Sequence, residues 1–359
     1  MKIIVDLCHP AHIHFFKYLI GKLREEGHQV LITTRDKEML IPLLKSYHLD
    51  FIQLAEPGKS QIGLGIEMLT RDLRLYTLCR KFKPDIMIGL SENIAHIGKL
   101  LNIPSITFTD TEHATLSHLL MTPFSDVVCT PSCFRKNFGD HQIRYNGYHE
   151  IAYFHPDWFT PNPSVVEEAG LAPGEPYIII RFVSWKANHD VGQHGIRDKV
   201  GLVEALEPFG RILITSEVEL PPELEQYRIR IPPEKVHDLL YYATLYIGEG
   251  ATMASEAALC GTPSIYISSL TGTMGNFIEL EQTYDLLYCF SDSEKAVKKA
   301  EEILMDGESK TKWMVKRERL FHEKIDVTSF MVWLVTSYPE SVQKIKENPE
   351  IALKTGDTF

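Results

Sequence analysis

Short apolar runs alternate along the chain with longer segments whose apolar positions recur every three to four residues. Lys2 to Leu7 is a near-continuous apolar run, the mark of a strand buried on both faces. The stripe Phe15, Phe16, Leu19, Ile20 and Leu23 then predicts a helix closed by Gly27. The pattern continues with strands at 28–33 and 51–54 and helices over 37–46 and 62–82. After these come strand 85–88, helix 93–100 and strands 105–109 and 126–129. Strands alternating with helices predict a parallel, doubly wound sheet.

The rhythm breaks between Tyr145 and Pro173, where Pro156, Pro161, Pro163 and Pro173 crowd among Tyr148, Tyr153, Phe154, Trp158 and Phe159. A second alternation follows, with strands at 177–182, 211–215, 227–231, 245–247 and 264–267 and helices over 200–206, 234–242 and 252–260. Beyond Ser291 the chain reads as helical and charged. An apolar helix over 327–335, with Phe330, Val332, Trp333 and Val335, can pack back on the first domain or serve as a subunit contact. The expected organisation is a Rossmann-like domain over 1–150, a linker over 151–173, a second Rossmann-like domain over 174–325, and returning C-terminal helices over 326–359 whose polar tail, from Lys344, frays.

Composition narrows the class. With 359 residues, 44% of them hydrophobic, the chain can bury two cores. Its net charge of −11, from 48 acidic and 37 basic residues, supplies no electrostatic footprint for nucleic acid. Six cysteines without a C-x-x-C pair point to a reducing, cytoplasmic compartment. The opening run carries Asp6 and leads into His-Pro, so it reads as a strand and not a secretory signal. No apolar run reaches the roughly 18 residues of a spanning helix.

The most specific chemistry lies after the strand at 245–247. Gly248, Glu249 and Gly250 make a small-residue turn into a helix, so the amides of Gly250, Ala251, Thr252 and Met253 offer an anion site. Glu256, one turn further, can accept hydrogen bonds from both hydroxyls of a ribose. The alternative is an ordinary turn with a surface glutamate.

Small residues followed by Ser255-Glu-Ala and Leu259-Cys-Gly-Thr-Pro263 resemble the nucleotide-sugar signature of GT-B proteins, among them the lipid-linked peptidoglycan N-acetylglucosaminyltransferase and UDP-N-acetylglucosamine 2-epimerase. The whole chain, through His9-Pro-Ala-His-Ile-His-Phe-Phe16, Ser91-Glu-Asn93 and Thr109-Asp-Thr-Glu-His113, resembles a GT-B-like family of archaea and bacteria, domain of unknown function 354. The resemblance implies an α/β fold of two Rossmann-like parallel-sheet domains facing a central cleft. It also implies that Glu256 holds the nucleotide ribose while the preceding turn faces the diphosphate.

Strand ends in such sheets carry the ligand-binding loops. His9 and His12, after the first strand, can polarise a donor phosphate or shuttle a proton; the alternatives are helix capping or, with His14, a metal site whose spacing fits no zinc pattern. Asp110 and Glu112 are the candidate bases, or else caps of the helix near Thr115, and Ser91, Glu92 and His113 border them. In the second half Arg181, Ser184 and Lys186, with His189 nearby, form a cationic loop suited to a departing diphosphate, or a solvated loop; Thr215 and Ser216 end the next strand.

These readings converge on a metal-independent glycosyltransferase with a nucleotide-sugar donor, expected to be a UDP-sugar, no cofactor, and an acceptor that includes lipid- or membrane-associated molecules. A UDP-N-acetylhexosamine 2-epimerase and a non-catalytic nucleotide-sugar-binding protein stay open, as does a homodimer. An NAD-dependent dehydrogenase is disfavoured because Cys8 to His14 lacks the G-x-G-x-x-G turn.

Overall fold

The computed structural model describes residues 1–37, 39–56, 58, 60–184 and 195–354. The chain divides into two compact units, Met1–Trp158 with the segment from Lys324 onward, and Phe159–Glu323. It passes from one to the other inside the proline-rich stretch 151–173.

The first unit begins with β1 (Lys2–Leu7), α1 (Pro10–Glu25), β2 (Gln29–Arg35), α2 (Leu40–Ser46) and β3 (Phe51–Ala55). It continues through α3 (Gln61–Phe82), β4 (Ile86–Gly89), α4 (Glu92–Leu101), β5 (Ser105–Phe108), α5 (Thr115–Met121), β6 (Val127–Pro131), β7 (Gln142–Tyr145) and α6 (Ile151–Phe154). The seven strands are parallel in the order β3-β2-β1-β4-β5-β6-β7. The chain moves outward from β1 through β2 to β3, then returns through α3 to β4 on the other side of β1. That reversal places the loops after β1 and β4 at the switch point where doubly wound sheets hold ligands. Because parallel crossovers are right-handed, it also sends α3, α4 and α5 to the face opposite α1 and α2. Under α3 and α4 lies a core of Ile4, Leu54, Leu75, Met87, Ile94 and Ile97.

The second unit comprises α7 (Ser164–Glu168), β8 (Tyr177–Phe182), α8 (Lys199–Leu206), β9 (Arg211–Ser216), α9 (Val236–Tyr242), β10 (Leu245–Gly248), α10 (Ala251–Leu259) and β11 (Ser264–Ile267). It closes with α11 (Gly275–Gln282), β12 (Leu287–Phe290), α12 (Ser293–Met305) and α13 (Ser309–Glu323). Its parallel sheet runs β12-β11-β10-β8-β9, so its switch point lies between β8 and β10.

The chain ends in the first unit with α14 (Val327–Thr336), α15 (Glu340–Glu347) and α16 (Glu350–Leu353). Helix α14 buries Val327, Phe330, Met331, Leu334 and Val335 against α1 and α6. Gly147 lets it approach, since a Cβ there would lie 2.5 Å from Cγ2 of Val327.

Four stretches differ from the sequence reading. The segment 227–231 is no strand: a 3₁₀ turn covers Pro222–Tyr227, and Arg228 makes one isolated bridge to Ile214. Pro232 and Pro233 remove the donors a ladder would need next. The edge strands β7 and β12 escape a reading by periodicity because each has only four residues, and Gln142 and Arg144 interrupt the apolar pattern of β7. From Lys344 to Lys354 the tail is packed, with Ile345 and Ala352 buried and the Ala352 carbonyl accepting from the amide of Asn146 at 2.9 Å.

Candidate functional site

At the switch point of the first unit, Asp6 is the one acidic residue in an otherwise apolar strand, and it is fully buried. Its carboxylate accepts from Thr33 Oγ1 at 2.7 Å, from Arg71 Nη2 at 2.8 Å, from Cys8 Sγ at 3.1 Å and from Ser91 Oγ. One side chain therefore ties β1 to β2, α3 and the start of α4. This accounts for Ser91 as a structural anchor beneath the loop, with Glu92 half-buried as the first residue of α4. Burial pushes the Cys8 thiol well above its ordinary value, so it is no nucleophile.

The histidines after β1 have defined tautomers. His9 caps α1, its Nδ1 accepting from the amide of Ala11 at 3.2 Å, and Pro10 supplies the preset φ of the first turn. His12 Nδ1 accepts from the amide of Cys8, also at 3.2 Å. In both rings the remaining hydrogen therefore sits on Nε2, which can donate and cannot accept. Burial, assisted by Lys37 and Arg35, lowers His9 to about 4, and burial followed by the charges of His9 and His149 lowers His12 well below its ordinary value. Both rings are neutral donors at neutral pH. That suits the polarising role and not the shuttling of protons.

The loops after β5 and β7 bring in the groups that accept protons. Asp110 Oδ2 lies 3.1 Å from Nδ1 of His149, and Thr111 Oγ1 donates to Asp110 Oδ1 at 3.0 Å. Burial alone would raise the Asp110 carboxyl; the His149 charge and the two hydrogen bonds outweigh it and hold the group below the ordinary carboxylate range. With Nδ1–H directed to that carboxylate, the neutral form of His149 carries its lone pair on Nε2, a buried atom without a hydrogen-bond partner among the described residues. The hydroxyl of Tyr145, four residues earlier, is a second buried polar atom without one. Buried polar atoms left unsatisfied in this way call for a partner that the protein does not itself supply among the described residues. Phe15 holds the His149 ring, with centroids 4.3 Å apart.

Glu112 is buried and accepts from the amide of Arg135 at 3.2 Å, while His113 is half-buried in the same loop. His118, one turn into α5, meets Thr109 Oγ1 at 3.1 Å and is lowered to about 4 by burial and by Lys136. The electrostatic links among His9, His12, Asp110 and His149 place these four in one cluster. Sequence reasoning found three of them. His149 escaped because it follows an edge strand that periodicity did not register; its signal was Tyr148-His-Glu150, a polar pair beside buried aromatics.

In the second unit Arg181 ends β8, its guanidinium donating to Thr215 Oγ1 at 2.9 Å and to Glu217 Oε1 at 2.6 Å. The Ser184 amide donates to Glu217 Oε2 at 3.2 Å, and Ser216 Oγ donates to the Val218 carbonyl at 2.8 Å. Gly250 packs on Arg181, where a Cβ would come within 2.9 Å of Cγ. Gly250 caps α10 without a side chain, and the amides of Ala251, Thr252 and Met253 have no carbonyl one turn earlier to bond. Thr252 is exposed.

Glu249 is a residue the sequence reading passed over. It is buried and accepts from the amide of Val183 at 2.9 Å and from that of Ile196 at 2.7 Å, so one carboxylate joins β8 to the approach of α8. Glu256 is buried on α10 with Oε1 3.0 Å from Nε2 of His237 on α9. Lys186 and His189 lie outside the described residues.

Among the described residues one group, His155, Asp157 and Asp326, brings three potential metal-ligand atoms within 4.8 Å of one another. Asp326 already caps α14 and accepts from Trp158 Nε1 at 2.9 Å, and Asp157 is exposed, so nothing beyond proximity points to a cation there. Among the described residues no helix is long and apolar enough to cross a membrane.

The profile of a family described as Protein of unknown function (DUF354) matches residues 1–332. An uncharacterized protein of Methanocaldococcus jannaschii, MJ0665, is 26% identical over 301 residues, covering 79% of this chain and 86% of that protein. Among solved structures, the UDP-GlcNAc 2-epimerase of Neisseria meningitidis bound to UDP-GlcNAc superposes with a TM-score of 0.65 at 14% identity, over 87% of this chain and 94% of its own. The glycosyltransferase VinC in complex with DTDP gives 0.61 at 11% identity, over 96% of this chain and 100% of its own. At such identities these two show a shared GT-B fold: two parallel α/β sheets, here of seven and five strands.

Proposed function

The chain belongs to the DUF354 family, and on that footing we propose that it is a glycosyltransferase using a nucleotide-sugar donor, in the first instance a UDP-sugar. The observation that carries the transferase reading is the Asp110–His149 pair, 3.1 Å apart, with the lone pair of His149 Nε2 left open. A general base whose tautomer is held by a carboxylate is what deprotonation of an acceptor hydroxyl requires.

In this mechanism the amides of Ala251, Thr252 and Met253 and the Arg181 guanidinium take the donor diphosphate, and Glu256 takes the ribose hydroxyls. His149 Nε2 accepts the proton of the acceptor hydroxyl, and Asp110 stabilises the imidazolium. The acceptor oxygen bonds to the anomeric carbon as the bond to the diphosphate oxygen breaks, and the nucleoside diphosphate leaves with the electron pair. His9 and His12 donate from Nε2 to oxygen atoms of the reacting groups, and Glu112, Glu92 and His113 border them. Amide dipoles and a guanidinium neutralise the leaving group, so neither cofactor nor metal is required. The nucleotide-diphosphate ligands named for the Neisseria epimerase and VinC support this donor class.

A thermal-shift series against UDP, GDP, CMP, ADP and their sugar conjugates, repeated with Glu256→Ala, tests the donor site, because a ligand of the folded state alone raises Tm. Stabilisation by UDP or a UDP-sugar, lost in the variant, is expected. Release of UDP that needs an added acceptor, survives EDTA and falls in His149→Ala completes the reading. Acceptor-free conversion to the 2-epimer would identify an epimerase instead, and binding without any turnover a sensor.

A further inference from the structure

The face of the first unit formed by α3, α4 and α5 inverts the usual distribution of side chains. Polar groups lie between the helices: Asp72 on α3 accepts from Asn93 Nδ2 at 2.6 Å and meets His96 Nδ1 at 3.2 Å, while His96 Nε2 donates to the Leu120 carbonyl at 2.9 Å. The outer surface carries a concentration of apolar side chains. Of thirteen large apolar residues exposed among the described residues, eight belong to these three helices and the turn after α5. On α3 these are Ile66, Leu69, Leu73 and Tyr76, exposed to 60%, 60%, 69% and 37%; Leu116 and Leu119 are exposed on α5, which packs against α4. Patches of this extent on a soluble surface mark a contact.

The spacing says what covers it. The four α3 positions follow one another at intervals of three, four and three, the narrow seam on which another helix packs. A bilayer needs no such register. The seam also reads the same in both directions, so a second copy related by a two-fold axis, with its α3 antiparallel, brings Ile66 opposite Tyr76 and Leu69 opposite Leu73. Self-complementarity of that kind defines an isologous contact. In this register Arg74, the exposed cation within the span of the seam, meets Met68 and not another cation. Eight large side chains exposed to between 37% and 69% present on the order of 800 Å² per chain, the share each partner contributes to a standard interface.

We propose that this chain forms a two-fold homodimer through the α3–α5 face, with the two α3 helices packed antiparallel along the Ile66-Leu69-Leu73-Tyr76 seam. The inference is independent of the catalytic reading. Sedimentation equilibrium of the full chain from 1 to about 50 µM, a range chosen to bracket the affinities of stable interfaces, should give twice the 41.0 kDa chain mass. Leu69→Glu and Leu73→Glu should each weaken association at least 100-fold while leaving the circular dichroism spectrum unchanged. Met305→Glu, at a residue exposed to 72% on a different surface, should leave the dimer intact. A wild-type monomer throughout the range, or a dimer indifferent to both leucine variants, would overturn the proposal. So would a monomeric wild type that co-sediments with phosphatidylglycerol vesicles through Leu69 and Leu73, which would make the face a membrane contact.

Discussion

Nδ1 of His149 lies 3.1 Å from Oδ2 of Asp110, and that contact decides which of two neighbouring groups can take a proton. Within the pair Asp110 is held below the ordinary carboxylate range, which leaves it a weak base. Joined to His149, it directs the lone pair of the neutral imidazole to Nε2, which has no hydrogen-bond partner among the described residues.

His149→Ala is expected to lower kcat by roughly 10²–10⁴, the usual worth of a positioned general base, with UDP affinity unchanged. Asp110→Asn, which keeps the shape but can favour the wrong tautomer, should fall in the same range. Steady-state UDP release with parallel binding measurements separates the two parameters. An equal loss of affinity in both variants would show that the pair serves folding or binding instead.

The ion pair of Asp6 and Arg71 is almost wholly buried, with side-chain exposures of 0% and 3%. Asp6→Ala leaves the guanidinium without its counter-charge and is expected to cost about 3–5 kcal/mol in urea unfolding. The double variant with Arg71→Met should recover a good part of that. A double variant as unstable as the single would show that Thr33 and Ser91, not the charge, make Asp6 necessary.

Glu249→Ala removes the acceptor of two backbone amides, Val183 and Ile196. A loss of about 1–3 kcal/mol is expected for buried donors left unsatisfied, together with weaker nucleotide binding, because both segments adjoin the switch point of that sheet. Gly250→Ala should weaken nucleotide binding with a smaller effect on stability, since its Cβ would press on Arg181. Calorimetric titration with UDP alongside thermal unfolding resolves these effects.

His9 and His118, each lowered to about 4, and His12, lowered well below its ordinary value, are neutral in the folded chain at neutral pH. Between about pH 4 and 6.5 the unfolded chain binds protons that the folded chain does not. Stability therefore falls as pH drops through that window. His96 has the opposite sign: its hydrogen bond to Asp72 raises it, so its contribution is present at low pH and fades as pH rises through its folded value. Urea unfolding at pH 5 and pH 7 should show a net acid loss that His118→Gln reduces.

The parallel class of both sheets was legible because β1, β4, β8 and β10 are apolar on both faces and carry that property in their residues. Of the site, His9, His12 and Asp110 could be read because each directly follows a recognisable strand, as could the turn before Ala251. His149 and His237 could not, since each matters through a partner 39 or 19 residues away, and local pattern does not carry such distances.

By itself the sequence determined the doubly wound class, two sheets, and a phosphate-suited turn beside a glutamate, because alternation and turn chemistry act over a few residues. Only tertiary structure decided that Asp6 is an anchor and that His149 pairs with Asp110. It also decided which way the leucines of α3 face. These outcomes depend on burial and on contacts between distant segments, and periodicity alone cannot say which apolar stripe finds a core.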